Sequence, residues 1–210
     1  MREQLQLRFG RTVPSARRPR LRCGIDEAGR GPIAGPVTAA AVILPRGFPV
    51  DVLDDSKALA PEERRAAAEL IRARAVAWAV GWATHQEIDR VNILQATLLA
   101  MRRAVLVLQP AATDALIDGN RCPVLPIPAR AIVRGDALEP CISAASILAK
   151  TERDKVLRAL ADIYPAYGFE RHAGYPTAEH LAALEAFGPC AVHRKSFGPV
   201  KRILQKTFFE

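Results

Sequence analysis

The sequence predicts an α/β domain with a mixed five-stranded sheet, helices on its faces and a helical C-terminal extension. Two observations lead to this prediction. The first is that two apolar segments flank a short glycine-rich turn and that a third apolar segment follows. The second is that, further along the chain, short apolar runs alternate with longer helical patterns. This order is typical of helices packed on a sheet. The predicted strands cover residues 21–26, 36–44, 75–84, 115–117 and 131–133.

The strands are predicted from short apolar runs bounded by turn residues. The first two should pair antiparallel, because the turn between them is short and rich in glycine. The third carries Trp78 and Trp82. The fourth ends at Asp118, and the fifth ends shortly before Asp136.

Four helices are predicted, one beginning at residue 61 and the others covering 92–108, 143–160 and 177–187. The first opens with proline and two glutamates, which suit the positive end of a helix dipole. The second has apolar residues near the helical period. The third should stop before Pro165, and the fourth has Thr177 as its N-cap and Gly188 as its terminator. Residues 54–57 are predicted to form a loop.

Composition favours a globular protein with a polyanionic partner. Half of the 210 residues are hydrophobic and the net charge is +8, which favours nucleic acid, although ordinary solubility is an alternative explanation. No apolar run reaches the roughly 20 residues that a membrane span needs, and the N-terminus lacks a signal-peptide pattern. We therefore expect cytoplasmic residence, and we expect a monomer because nothing in the sequence requires a larger assembly. The scattered cysteines 23, 122, 141 and 190 argue against zinc or disulfides, and we expect buried free thiols.

Two regions are predicted. Residues 1–20 are basic, contain proline and have few apolar residues in their second half, so we expect a flexible arm. Residues 21–210 should form the folded domain, including its helical extension.

Four carboxylates lie at or just after predicted strands: Asp26, Glu27, Asp118 and Asp136. Strand ends gather at one edge of a sheet, so these side chains should converge. Carboxylates that lie close together repel unless a cation neutralises them, and oxygen ligands suit Mg²⁺ or Mn²⁺. The alternative is that single aspartates only cap turns, as the sequence Asp118-Gly119-Asn120 would allow.

Six blocks resemble the signature sequences of bacterial ribonuclease HII. They occur in family order: GIDEAGRGP at 24–32, DSK at 55–57, IDGN at 117–120, GD at 135–136, SAASILAK at 143–150 and GYPT at 174–177. The resemblance extends from about residue 21 to residue 200. It implies an RNase H-like fold, cleavage of RNA hybridised to DNA, and incision at single ribonucleotides embedded in duplex DNA.

The resemblance also implies roles for individual residues. Asp26, Glu27, Asp118 and Asp136 would bind Mn²⁺ or Mg²⁺ in a two-metal mechanism, with ions about 4 Å apart. The turn Gly29-Arg30-Gly31 would bind the ribose 2′-OH through its backbone. Tyr175 would stack under the following sugar, although a tyrosine that merely plugs a Gly/Pro loop is the alternative.

Candidate phosphate contacts come from basic residues and from the start of the third long helix. They are Lys57, Ser143, Ser146, Lys150 and Arg153. The alternative is a solvated helix face. The histidines at 172, 180 and 193 lack the spacing of metal ligands, and we expect them to be structural or surface residues.

The N-terminal arm carries a further hypothesis. The residues Gln4, Leu5, Leu7 and Phe9 are similar to the short peptide with which bacterial proteins bind the sliding clamp, and residues 205–209 are a weaker candidate. The alternative is that either tail packs on the domain.

Three other functions compete with this prediction. A junction resolvase would share the carboxylates but not the 2′-OH sensor, and ribonuclease HIII normally carries an added N-terminal domain. A non-catalytic nucleic-acid-binding module would have no use for four clustered carboxylates.

Overall fold

A mixed five-stranded sheet forms the centre of the molecule. The computed structural model describes residues 20–53 and 59–206. Its strands are β1 (Arg22–Ala28), β2 (Val37–Ile43), β3 (Ala77–Ala83), β4 (Asp114–Asp118) and β5 (Ala129–Ile132), in the order β3-β2-β1-β4-β5. β2 runs antiparallel to β1 and β3, while β1, β4 and β5 are parallel. The predicted mixed sheet and its antiparallel first pair are confirmed.

Helices cover both faces of this sheet. They are α1 (Pro61–Arg74), α2 (His85–Leu106), α3 (Pro140–Ile163), α4 (Phe169–His172), α5 (Ala178–Phe187) and α6 (Gly198–Lys206). One apolar core lies between the sheet and α2, and a second lies between the sheet and the pair α1 and α3. The start of α3 lies directly on β1, because a Cβ on Gly24 would be only 2.1 Å from the carbonyl carbon of Cys141.

Helix α2 begins seven residues before the predicted start at residue 92. The hydroxyl of Thr84 accepts a hydrogen bond from the Glu87 N–H at 3.2 Å, and the Glu87 carboxylate accepts one from the Thr84 N–H at 2.9 Å. This capping box stabilises an additional first segment. Asn92, with φ of 68°, separates the two segments, and its side chain caps the second by accepting from the Gln95 N–H. The apolar period predicted only that second segment.

The predicted helical C-terminal extension is confirmed. Thr177 is the N-cap of α5, and its hydroxyl accepts a hydrogen bond from the His180 N–H. Helix α6 packs Val200 against Ile33 and Leu184, which brings the extension onto the segment that follows β1.

The cysteine prediction was wrong in part. Cys23 is buried, Cys141 and Cys190 are half-buried, and all are free thiols, but Cys122 is exposed. It lies in the proline-rich connection between β4 and β5, which packs less closely than a strand or helix. No helix in the described ranges is long and apolar enough to cross a membrane.

Candidate active site

The four carboxylates lie at one edge of the sheet. Asp26 and Glu27 are near the end of β1, Asp118 is the last residue of β4, and Asp136 lies in a one-turn 3₁₀ helix after β5. Ile25 of β1 lies opposite Ile117 of β4, so Asp26 and Asp118 are the next residues on neighbouring parallel strands. Asp118 Oδ1 accepts hydrogen bonds from the N–H groups of Gly135 (2.7 Å) and Asp136 (3.4 Å). These bonds join the segment that carries Asp136 to the end of β4, which carries Asp118.

Asp26 is the most buried of the four carboxylates, with 5% of its surface exposed. Burial raises the pKa of Asp26 well above its ordinary value, and the negative charges of Glu27 and Asp118 raise it further, while a hydrogen bond to Ser146 opposes the rise. Burial also raises the pKa of Glu27, against the effect of the Arg30 guanidinium, which lies 3.3 Å from its carboxylate. The site therefore concentrates negative charge that a bound cation would relieve.

The chemistry of these donors fits a hard divalent cation. All four side chains offer oxygen, the ligand that Mg²⁺ and Mn²⁺ prefer. In the part of the chain that the structure describes, no group of three or more His, Cys, Asp or Glu side chains is arranged closely enough to enclose an ion. Asp118 is bonded to backbone amides and Glu27 to Arg30. These contacts fix the orientation of the Asp118 and Glu27 carboxylates.

A groove of about 410 Å³ opens beside Glu27. It is lined by Glu27, Ala28, Gly29, Arg30, Gly31, Arg64, Ser146, Lys150, Arg153 and Tyr175. Tyr175 is 43% exposed, and its ring lies against Gly31, where an added Cβ would be 3.2 Å from Cε1 of the tyrosine. The glycine turn and the tyrosine, which are about 145 positions apart in the sequence, therefore lie together in one groove.

The structure corrects two of the predicted phosphate contacts. Ser143 is buried, and its hydroxyl donates to the carbonyl of Leu53 at 2.7 Å. Arg153 is 1% exposed, and its guanidinium donates to the backbone carbonyls of Pro36, Ala173 and Ala34. Neither side chain is available to a phosphate on the surface, because helical spacing places a residue on a face but does not show what packs over it.

The remaining phosphate candidates differ in position. Lys150 lines the groove and forms an ion pair with Asp154, with 2.8 Å between Nζ and Oδ1. Ser146 lines the groove and is hydrogen-bonded to Asp26. Lys57 lies outside the described residues.

Three buried histidines support the segment that carries Tyr175. The Cys190 N–H donates to His193 Nδ1 at 3.0 Å, so the His193 proton is on Nε2, which lies 3.1 Å from His180 Nε2. His180 must accept there, and its Nδ1–H donates to the Tyr175 carbonyl at 2.8 Å. This series of hydrogen bonds requires neutral imidazole rings. Burial, together with the neighbouring His180, lowers the pKa of His193 to about 4. His172, stacked on His180, completes the group. The histidines are structural, as predicted, and lie in the interior.

Sequence reasoning missed Arg194. This side chain is fully buried behind the glycine turn, and it donates hydrogen bonds to the carbonyls of Gly29 and Arg30. Its sequence context, between a histidine and a lysine, looks like an ordinary basic surface stretch.

Comparisons with known proteins agree with the fold and with the sequence blocks. A family model described as Ribonuclease HII matches residues 23–200. The ribonuclease HII of Dechloromonas aromatica (strain RCB) is 63% identical over 182 residues, which cover 87% of this chain and 93% of that protein.

Solved structures share the fold at low identity. The ribonuclease H2 of Pyrococcus horikoshii OT3 has a TM-score of 0.74 at 22% identity, and the match covers 90% of this chain and 99% of that one. The ribonuclease HII of Archaeoglobus fulgidus, solved as a complex with PCNA, has a TM-score of 0.72 at 23% identity, covering 85% and 95%. The RNase H-like fold is therefore confirmed. Together with the family model and the close relative, it shows that the chain belongs to the ribonuclease HII family and is a type 2 ribonuclease H, an endonuclease.

Proposed function

We propose that this enzyme cleaves RNA in RNA/DNA hybrids and incises duplex DNA on the 5′ side of single ribonucleotides, leaving a 3′-OH and a 5′-phosphate. The supporting observation is that the four carboxylates gather at one edge of the sheet, where Glu27 lines a groove that also contains the Gly29–Gly31 backbone and Tyr175. Carboxylates suit metal-assisted phosphodiester hydrolysis, and the exposed backbone suits recognition of a sugar hydroxyl.

Asp26, Glu27, Asp118 and Asp136 are the proposed ligands of Mg²⁺ or Mn²⁺ in a two-metal site. When bound, such ions would lower the pKa of the attacking water and stabilise charge on the leaving 3′ oxygen. The protein's own part is to orient the ligands. Ser146 holds Asp26, and the amides of residues 135 and 136 hold Asp118.

Recognition of the substrate is assigned to the groove. The backbone N–H groups of the Gly29–Gly31 turn would bind the 2′-OH, which is the group that distinguishes RNA from DNA at one sugar. The Tyr175 ring would stack on the next sugar and disfavour a second 2′-OH. Lys150 and the net charge of +8 would attract the phosphate backbone.

Incision of an end-labelled duplex containing one ribonucleotide tests this proposal. The cut should require Mg²⁺ or Mn²⁺, fall 5′ of the ribonucleotide and be absent from an all-DNA duplex. Asp26→Asn and Asp118→Asn should nearly abolish turnover while substrate binding is retained. Asp114→Asn is a matched control, because Asp114 lies at the opposite end of β4 and pairs with Arg20 and Arg22.

Three results would contradict the proposal. A 2′,3′-cyclic phosphate product would show that the 2′-OH, and not water, is the nucleophile. Wild-type turnover in either carboxylate variant would remove that residue from the site. Loss of substrate binding in these variants, with unchanged turnover of the substrate that does bind, would show that the carboxylates bind nucleic acid and take no part in hydrolysis.

A second proposal concerns the N-terminal segment. Residues 1–20, which include the candidate clamp-binding residues Gln4, Leu5, Leu7 and Phe9, lie almost entirely outside the described part of the chain. We propose that these four residues tether a monomeric, cytoplasmic enzyme to the sliding clamp. The archaeal relative solved with PCNA supports a clamp as the partner. Deleting residues 1–9 should abolish binding to purified clamp, and unchanged affinity would refute the tether.

A further inference from the structure

Two arginines behind the groove are buried without a carboxylate partner among the described residues. Arg153 is 1% exposed and Arg194 is fully buried. Burial lowers the pKa of Arg153 to about 10 and that of Arg194 to about 9, and the charge of Arg153 adds to the effect on Arg194. Both side chains remain protonated at neutral pH. Buried charges are usually paired, so two cations whose hydrogen-bond acceptors among the described residues are all neutral carbonyls require an explanation.

The acceptors of these two guanidinium groups are nearly all in the turn after β1. Arg194 donates to the carbonyls of Gly35 (2.9 Å), Arg30 (3.1 Å), Gly29 (2.7 Å) and Pro36 (3.1 Å). Arg153 donates to those of Pro36 (3.1 Å), Ala34 (3.2 Å) and Ala173 (2.9 Å). Five carbonyls of the turn from residue 29 to residue 36 thus point inward at two positive charges.

The direction of these carbonyls determines the direction of the neighbouring amides. In a trans peptide, the C=O of one residue and the N–H of the next point in opposite directions. Because the carbonyls of Gly29 and Arg30 face Arg194, the N–H groups of Arg30 and Gly31 point away from it, towards the groove that these residues line. Arg194 therefore orients the donors proposed to bind the 2′-OH.

The same arginines connect the turn with the tyrosine segment. Arg153 donates to both Ala34 of the turn and Ala173, two residues before Tyr175. The Ile33 N–H donates to the Gly174 carbonyl at 2.9 Å, which adds a direct backbone bond between the two segments. These bonds, which lie behind the groove, consequently set the distance between the Gly29–Gly31 amides and the Tyr175 ring.

We propose that Arg194 and Arg153 are specificity-determining positioning residues, which hold the turn amides and Tyr175 in the geometry that selects a ribonucleotide. The proposal rests on the proposed function, since it assigns the 2′-OH to those amides. It excludes a direct contact between either guanidinium and the substrate. Lysine at position 194 would keep the charge but lose the planar fork, which reaches several carbonyls at once.

The test measures two constants of the metal-loaded enzyme. One is KM for a duplex that contains a single ribonucleotide, and the other is the inhibition constant Ki of the all-DNA duplex of the same sequence. Arg194→Lys should raise KM about tenfold or more, the value of roughly one hydrogen bond, and leave Ki unchanged. Arg153→Lys should change the KM/Ki ratio in the same direction. Leu108→Ala is the control, because it opens the buried core outside the groove. It should lower the melting temperature without changing the ratio.

Each outcome has a distinct meaning. If the arginines were merely structural, their variants would lose active enzyme and kcat but keep the wild-type KM/Ki ratio, as expected for Leu108→Ala. This result would overturn the proposal. If Arg194→Lys does not fold, Arg153→Lys decides by the same ratio. A wild-type enzyme that does not cut the ribonucleotide duplex would instead refute the proposed function.

Discussion

Replacing Gly29 by alanine should destabilise the protein more than a turn glycine normally would. Gly29 has φ of +96°, and a Cβ there would lie 2.0 Å from Nε of Arg153 and 2.4 Å from its Cδ. The left-handed backbone costs about 1–2 kcal/mol for a non-glycine residue. Displacing Arg153 would also break at least one charge-assisted hydrogen bond, worth about 1.5–3 kcal/mol. We expect a loss of about 2.5–5 kcal/mol in the free energy of unfolding, measured by urea denaturation.

Gly47→Ala separates the two contributions. Gly47 has φ of +74°, but nothing lies within 4 Å of an added Cβ, so this variant should lose only the backbone part, about 1–2 kcal/mol. If Gly29→Ala cost no more than Gly47→Ala, Arg153 would not be packed against Gly29, and the argument that this arginine supports the turn would fail.

Three other residues allow sharp tests. Tyr175→Ala should slow incision at isolated ribonucleotides about tenfold or more, the value of one stacking contact, and change cleavage of long hybrids little; equal initial-rate losses on both substrates would exclude sensing. The folded-state pKa of His193 is about 4, below its unfolded-state pKa of 6.5. The contribution of this histidine to protein stability is therefore complete above pH 6.5 and is lost as the pH falls towards 4. Urea denaturation should show about 1.5 kcal/mol of this loss between pH 6.5 and pH 5, and His193→Gln should lack it; equal losses in both proteins would contradict the neutral histidine chain. Asp89 accepts from the N–H groups of Lys195 and Ser196, next to Arg194. Asp89→Ala should therefore lower the melting temperature and raise KM for the ribonucleotide duplex, whereas a normal KM would show that this anchor does not affect the turn.

Local signals predicted most of the secondary structure. Apolar runs located all five strands, and Thr177 and Gly188 located both ends of α5, because capping and strand burial act over a few neighbouring residues. The first segment of α2 was missed, although Thr84 and Glu87 have the spacing of a capping box. The apolar period is weak there, and the capping box is the signal that marks the start of α2.

The carboxylate cluster was predictable for a general reason. Parallel strands end at the same edge of a sheet, so Asp26 of β1 and Asp118 of β4 had to approach once the strands were assigned. Their roles as metal ligands stay a prediction. The joining of the glycine turn with Tyr175 came from the family resemblance, since no local pattern connects residues so far apart in the sequence.

The sequence by itself determined the strands, the main helices and the edge at which acidic side chains gather, because these depend on local propensity and on the direction of neighbouring strands. Only the tertiary structure decided what the buried polar residues do. Arg153 and Arg194 are indistinguishable in sequence from surface arginines, and the chain from Cys190 through His193 and His180 to Tyr175 needs three separate segments in contact. The partner of a buried polar group is chosen by long-range packing, which brings together donors and acceptors that no short stretch of sequence contains.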